Sequence, residues 1–210
     1  MRNLILSHHF SASCRNFLAQ AGIQAYQYGA ELLETTSLGM SERGRSLHPH
    51  LVNVLYDYNI KSLCDAGEIP FSVEECMNKA RNSYYYLFRG DGIEFTVSKV
   101  SKKNSFPRDA IFRKNYAQNN DMISLFPELE MTDIDGIAYA ILTHGGNGNK
   151  MSFARMGFPR KDTKSWIGNQ VYLFDRTQNL VLIPKSESAV IEIARPKLKN
   201  IENILGEKIK

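Results

Sequence analysis

The order of hydrophobic periodicities along this chain predicts an α+β fold. A helical part is expected over residues 1–80, an antiparallel β-sheet built from hairpins over 84–194, and a C-terminal helix over 196–206, all within one domain spanning residues 1–210. Three observations carry this. Apolar residues recur at helical spacing in the first eighty residues, strict alternation takes over near residue 84, and no stretch alternates strand with helix as a doubly wound sheet would.

The helices come first. Phe10, Cys14, Phe17, Leu18 and Ala21 fall on one helical stripe behind Ser11 or Ser13 as a cap, and Gly22 reads as a stop. A second helix over 24–34 would bury Tyr26, Ala30 and Leu33, and the Gly-, Ser- and charge-rich stretch 35–46 reads as a loop. Pro49 opens a third helix with Leu51, Val54, Leu55 and Tyr58 on one stripe, ended by Asp65-Ala66-Gly67. Ser72 followed by Glu75 has capping-box spacing and predicts a helix through Met77 and Ala80.

The strands follow. Residues 84–89, a Gly90-Asp91-Gly92 turn and residues 93–100 read as a hairpin. In its second arm Ile93, Phe95 and Val97 face one way and Glu94, Thr96 and Ser98 the other, which predicts a strand with one face on a core. Residues 136–143 and 151–158 form a second hairpin around a His144-Gly145-Gly146-Asn147-Gly148-Asn149 loop. Further strands are expected at 170–174, 180–183 and 190–194, and Leu198, Ile201 and Leu205 define the closing helix.

A hydrophobic content of 43% with 23% charged residues is that of a globular chain with a core. The three cysteines form no CxxC pair and no even set, so reduced thiols of a cytoplasmic protein are expected. The amino terminus has only three consecutive apolar residues, Leu4-Ile5-Leu6, short of a secretory signal, and no apolar run is long enough to span a bilayer. No membrane partner is therefore expected.

Charge is the most informative feature. Residues 81–120 hold eight Lys/Arg (Arg81, Arg89, Lys99, Lys102, Lys103, Arg108, Arg113, Lys114) against Asp91, Glu94 and Asp109, a net of +5 that exceeds the +4 of the whole chain. Tyr84, Tyr85, Tyr86, Phe88, Phe95, Phe106, Phe112 and Tyr116 are interleaved with them. Cations hold phosphates and ring faces stack on bases, so the mixture points to nucleic acid. Lys99, Lys102, Lys103, Arg108, Arg113 and Lys114 are the candidate phosphate contacts, with Tyr84 and Tyr86 as stacking rings. The alternative is a solvated charged face whose rings point inward. A second cluster, Arg155, Arg160, Lys161 and Lys164, would extend this surface if both hairpins share a sheet.

Directly after the basic stretch stands Met122-Ile123-Ser124-Leu125-Phe126. It resembles the short motif by which bacterial replication and repair proteins dock on the β sliding clamp, of the form Gln-Leu-Ser/Asp-Leu-Phe. Ile123, Ser124, Leu125 and Phe126 match its last four places, and Met122 stands where the motif has glutamine. The resemblance implies that Ile123, Leu125 and Phe126 fill an apolar pocket of a replication protein. Packing of Leu125 and Phe126 into the chain's own core is the competing reading. The resemblance implies a DNA- or replication-machinery-binding accessory protein of a bacterium or phage, a growth-inhibiting toxin being one form of it.

An enzyme reading competes: a Mg²⁺-dependent nuclease, needing clustered carboxylates. Asp133 and Asp135, two apart, with Glu94, Asp91 and His144 are its candidate residues. Glu94 sits on the outward polar face of its strand, and Lys99, five residues on, projects from the opposite face, so the two do not pair. His144, beside glycines in a loop, is the candidate general base. No zinc spacing, phosphate-binding glycine loop or GxSxG peptide is present, and without the nuclease chemistry no cofactor is expected.

Overall fold

A computed structural model describes residues 10–121 and 137–175. The first two expected helices are one, α1 (Ala12–Glu34), capped by the Ser11 hydroxyl, which accepts the Cys14 N–H at 3.1 Å. Gly22 does not stop it. A Cβ there would stand 2.7 Å from the Tyr56 ring and 2.8 Å from the Met151 sulfur, so this glycine exists to let α1 approach its neighbours. The expected loop contains a 3₁₀ turn, Ser37–Met40, and the short α2 (Glu42–Arg45).

Pro49 lies in the first turn of α3 (His48–Asp65), as its fixed φ favours. The inner face of α3 is not the expected stripe. Val52, Tyr56, Asn59, Ile60 and Leu63 are buried, whereas Val54 is 63% and Tyr58 43% exposed. Polar tips decide the rotation: Tyr56 Oη donates to the Leu18 carbonyl at 2.9 Å and Asn59 Nδ2 to the Ala21 carbonyl at 3.0 Å. A hydrophobic count undervalues both residues.

The capping-box spacing at Ser72 misleads, because β1 (Ser72–Met77) is a strand. It pairs antiparallel with β2 (Tyr84–Gly90), from Ser72↔Arg89 to Met77↔Tyr84, and Arg89 binds Glu74 across the pair at 3.0 Å. Cross-strand pairing overrides local helix signals here. The first hairpin continues into β3 (Ile93–Lys99), as expected, and the second is β4 (Ala138–Asn147) with β5 (Lys150–Pro159). The last described strand is β6 (Trp166–Asp175).

Among the described residues the strands form one sheet in sequence order, β1 to β6. It is mixed rather than purely antiparallel, because β3 and β4 run parallel, from Ile93↔Ala138 to Lys99↔His144. A parallel neighbour needs a crossover, and residues 100–137 supply it, carrying α4 (Ile111–Tyr116). The crossover also explains why β3 is buried on both faces and not on one.

Strand alternation separates two cores. On one face Phe88, Phe95, Ala138, Ala140, Leu142 and Met156 pack under Leu18, Tyr26, Tyr56 and Ile60 of α1 and α3. On the other, Tyr139 and Ile141 pack against Ala117, Tyr116 and Trp166. Burying each large apolar side chain contributes about 1.5–3 kcal/mol, so the helical face supplies most of the stability. Asn120 clasps the smaller core: its Nδ2 donates to the Tyr139 and Pro159 carbonyls, both at 2.8 Å, and its Oδ1 accepts the Tyr139 N–H at 2.9 Å.

The peptide 122–126, Asp133, Asp135, the strands expected at 180–183 and 190–194 and the helix at 196–206 lie outside the described residues. No helix among the described residues is long and apolar enough to cross a membrane.

Candidate nucleic-acid interface

The crossover and the β5–β6 turn meet on the sheet face opposite α1 and α3. Phe106 packs on Trp166 with ring centroids 4.2 Å apart, Thr163 Oγ1 donates to Asp109 Oδ1 at 3.4 Å, and Arg160 lies 3.7 Å from Asp121. The turn holds its own shape: the Thr163 N–H donates to the Arg160 carbonyl at 2.8 Å and the Lys164 N–H to Asp162 Oδ1 at 2.9 Å. Two basic segments some fifty residues apart thereby become neighbours.

The exposed cations are Lys102 and Arg108 on the crossover and Arg160, Lys161 and Lys164 on the turn. Lys114 is half-buried and binds Asp109 at 2.6 Å, an ion pair that pulls the Asp109 carboxyl below its usual range. Asp109, Asp121 and Asp162 offset part of the charge, and these six cations leave the surface net positive. Both ion pairs here are exposed or half-buried, so they hold the cations loosely against a competing phosphate.

Several residues expected on this surface are used elsewhere. Lys99 points to the helical face, its Nζ 5.3 Å over the Tyr26 ring and 3.4 Å from the Gly146 carbonyl, and burial lowers its pKa. Lys103 binds both oxygens of buried Asp175 at 2.8 and 2.7 Å. Arg113 reaches inward, donating through Nη1 to the Arg108 carbonyl at 2.7 Å and through Nη2 to Ser98 Oγ at 3.2 Å. Arg155 of the second cluster is only 4% exposed.

The rings are likewise committed. Tyr85, on the crossover face, stacks on Phe112 at 3.9 Å and shares a hydrogen bond with Tyr116 at 3.3 Å. Tyr86 is half-buried against Phe88 on the helical side, and Tyr84, 61% exposed, shares its parity on the strand. The interface is therefore cationic, with little ring area left for bases.

Among the described residues, the nuclease candidates Glu94, His144 and Asp91 do not converge. Glu94 is buried, not outward; it faces the crossover with Arg89 3.6 Å away, and burial raises its pKa. His144 is not in a loop: β4 runs through it, and it is wholly buried on the helical side. Tyr26 Oη lies 3.1 Å from its Nδ1 and Asn53 Oδ1 3.3 Å from its Nε2. Asn53 Oδ1 also accepts the Lys99 N–H at 2.9 Å, while Asn53 Nδ2 donates to Asp57 at 3.2 Å. With Asn53 so oriented, Nε2 of His144 carries the proton and Nδ1 accepts from Tyr26.

Burial, reinforced by the Lys99 charge, lowers the His144 pKa to about 3. That imidazole is a neutral structural bridge between sheet and helices, sealed from any substrate. Asp91 sits exposed at the β2–β3 turn. Among the described residues no three His, Cys, Asp or Glu side chains group as metal ligands.

Sequence reasoning missed Asn120, Thr163 and Trp166 as the residues that assemble the surface. The one available signal was the positive net charge of both segments. No protein-family model matches the chain, and no curated protein or solved structure matches it either.

Proposed function

We propose that this protein is a nucleic-acid-binding accessory factor of the replication apparatus, holding a sugar–phosphate backbone on the crossover and β5–β6 turn. The observation that carries the reading is the junction of two basic segments, through Phe106–Trp166 and Asp109–Thr163, into one positive face. Phosphate contacts by Lys102, Arg108, Lys114, Arg160, Lys161 and Lys164 would give affinity without base specificity, since they read charge and not base edges. With Tyr85 already stacked on Phe112, base stacking contributes little.

The clamp-like peptide extends the reading. It begins one residue beyond Asp121, which Arg160 approaches on this same face. A factor that grips DNA here and offers Ile123, Leu125 and Phe126 to a sliding clamp would be held at replicating DNA; a toxin could use the same contacts to obstruct it.

A salt titration tests the DNA contact. With five or six phosphates engaged, log Kobs for a duplex is expected to fall with log salt at a slope of about −5. A slope near zero, or no binding at low salt, would overturn the reading.

A further inference from the structure

Arg155 stands in the middle of β5 on the crossover side, opposite Thr143 of β4 and Tyr172 of β6. Its guanidinium lies between the Phe153 and Tyr172 rings, 5.7 and 5.6 Å from their centroids. Nε and Nη2 are buried, and among the described residues they have no hydrogen-bond partner and no ion pair includes Arg155. Ring faces satisfy part of the charge, but they leave in-plane N–H donors unmet. Burying such donors is costly unless an acceptor arrives.

The same row of the sheet holds a second arginine. The pairings Ser98↔Thr143 and Thr143↔Arg155 place these residues side by side across three strands. Arg113 comes down from α4 onto Ser98, and its Nε is also buried without a hydrogen-bond partner among the described residues. Ser98 and Arg155 are two strands apart, about 10 Å between backbones, a span that two arginine side chains can close around a small ligand. Among the described residues, Asp175 is engaged by Lys103 and Glu94 by Arg89, and the buried carboxyl of Asp57 on α3 interacts with the Arg113 charge, which leaves Arg155 as the cation of this row with no carboxylate beside it. The row thus carries Arg155, the Arg113 side chain held on Ser98, and two hydroxyls, of which Ser98 accepts from Arg113 and Thr143 donates to the Arg155 carbonyl at 3.4 Å.

We propose that Arg155 and Arg113, with Ser98 and Thr143 between them, form a binding site for a phosphate-sized oxyanion beneath the crossover. The ligand must be rich in acceptors because the row presents unmet donors. It must be tetrahedral, since guanidinium forks approaching from β5 and from α4 each need a pair of oxygens, and a planar carboxylate serves one fork well. Inorganic phosphate and the terminal phosphate of a nucleotide chain share this chemistry. The site goes beyond the backbone grip proposed above and stands without it.

Thermal unfolding in inorganic phosphate, against chloride at equal ionic strength, tests the site. At a hundredfold excess over Kd the wild-type Tm should rise by about 5 °C or more. Arg155→Met, which keeps volume and removes the buried donors, should fold and lose that rise. Arg113→Met, at a half-buried position, supplies the same comparison if the core variant does not fold. An equal rise in both variants, or no rise in the wild type, would overturn the proposal. Tighter binding of a 5′-phosphorylated oligonucleotide than its 5′-hydroxyl form, lost in Arg155→Met, would identify a chain terminus as the ligand. Equal binding of the two, with the Tm response intact, would identify free phosphate.

Discussion

Asn120→Ala is expected to destabilise the fold by about 4 kcal/mol, roughly a 12 °C fall in Tm for a chain of this size. The side chain is 1% exposed and makes three hydrogen bonds of 2.8–2.9 Å to Tyr139 and Pro159. Alanine would leave the Tyr139 N–H and two carbonyls without that partner in a buried place, each costing about 1–3 kcal/mol, with less than full additivity. Asn120→Asp should be no milder: it keeps the acceptor but turns a carboxylate oxygen toward two carbonyls. Because this clasp ties the crossover to β4 and β5, the loss should also weaken DNA binding. Urea unfolding followed by circular dichroism measures the first effect, and a change below about 1 kcal/mol would show that the clasp is not structural.

The second large effect is a pH dependence carried by His144. Its folded pKa, about 3, lies below the ordinary 6.5. Between those values the unfolded chain binds a proton that the folded chain refuses. The stability this histidine contributes is therefore complete above pH 6.5 and is lost as pH falls toward 3, at about 1.4 kcal/mol per unit. His48, whose pKa burial also lowers, acts with the same sign. Asp57 and Glu94, both raised by burial, act with the opposite sign, since their folded forms take up protons first.

Comparison with His144→Gln isolates the effect, because glutamine can still accept from Tyr26 and donate to Asn53 without titrating. Between pH 6.5 and 5 the wild type should lose about 2 kcal/mol more than the variant. Parallel stability curves would contradict the buried neutral imidazole.

Local signals were legible where a single segment decides its own structure. The Ser11 cap, Pro49 at the start of α3 and the Gly90-Asp91-Gly92 turn all stand where short-range chemistry puts them. Tertiary context took over elsewhere. The run His144-Gly145-Gly146 has the composition of a turn, yet it stays in β4 because the glycines admit close neighbours: a Cβ on Gly145 would meet the Phe153 ring at 2.5 Å. Nothing within the Ser72 segment shows that β2 will pair with it.

The site was half legible for the same reason. Charge density marked the crossover, but the partners that draw Lys103 and Lys99 away, Asp175 and Tyr26, lie 72 or more residues distant. Nor can a cluster such as 155–164 be divided in advance between an interior arginine and surface lysines. Only strand pairing separates Arg155 from Lys161 and Lys164.

The joined basic face is tested most directly by repeating the duplex salt titration on charge-reversed proteins. One carries Arg108→Glu, another Lys161→Glu with Lys164→Glu, and a third all three changes. If the two segments grip one backbone, each reversal should flatten the salt slope by about 0.9 per lost contact, and the combined protein should bind DNA no better than chance electrostatics allow. Binding and slope unchanged in the combined protein would contradict it.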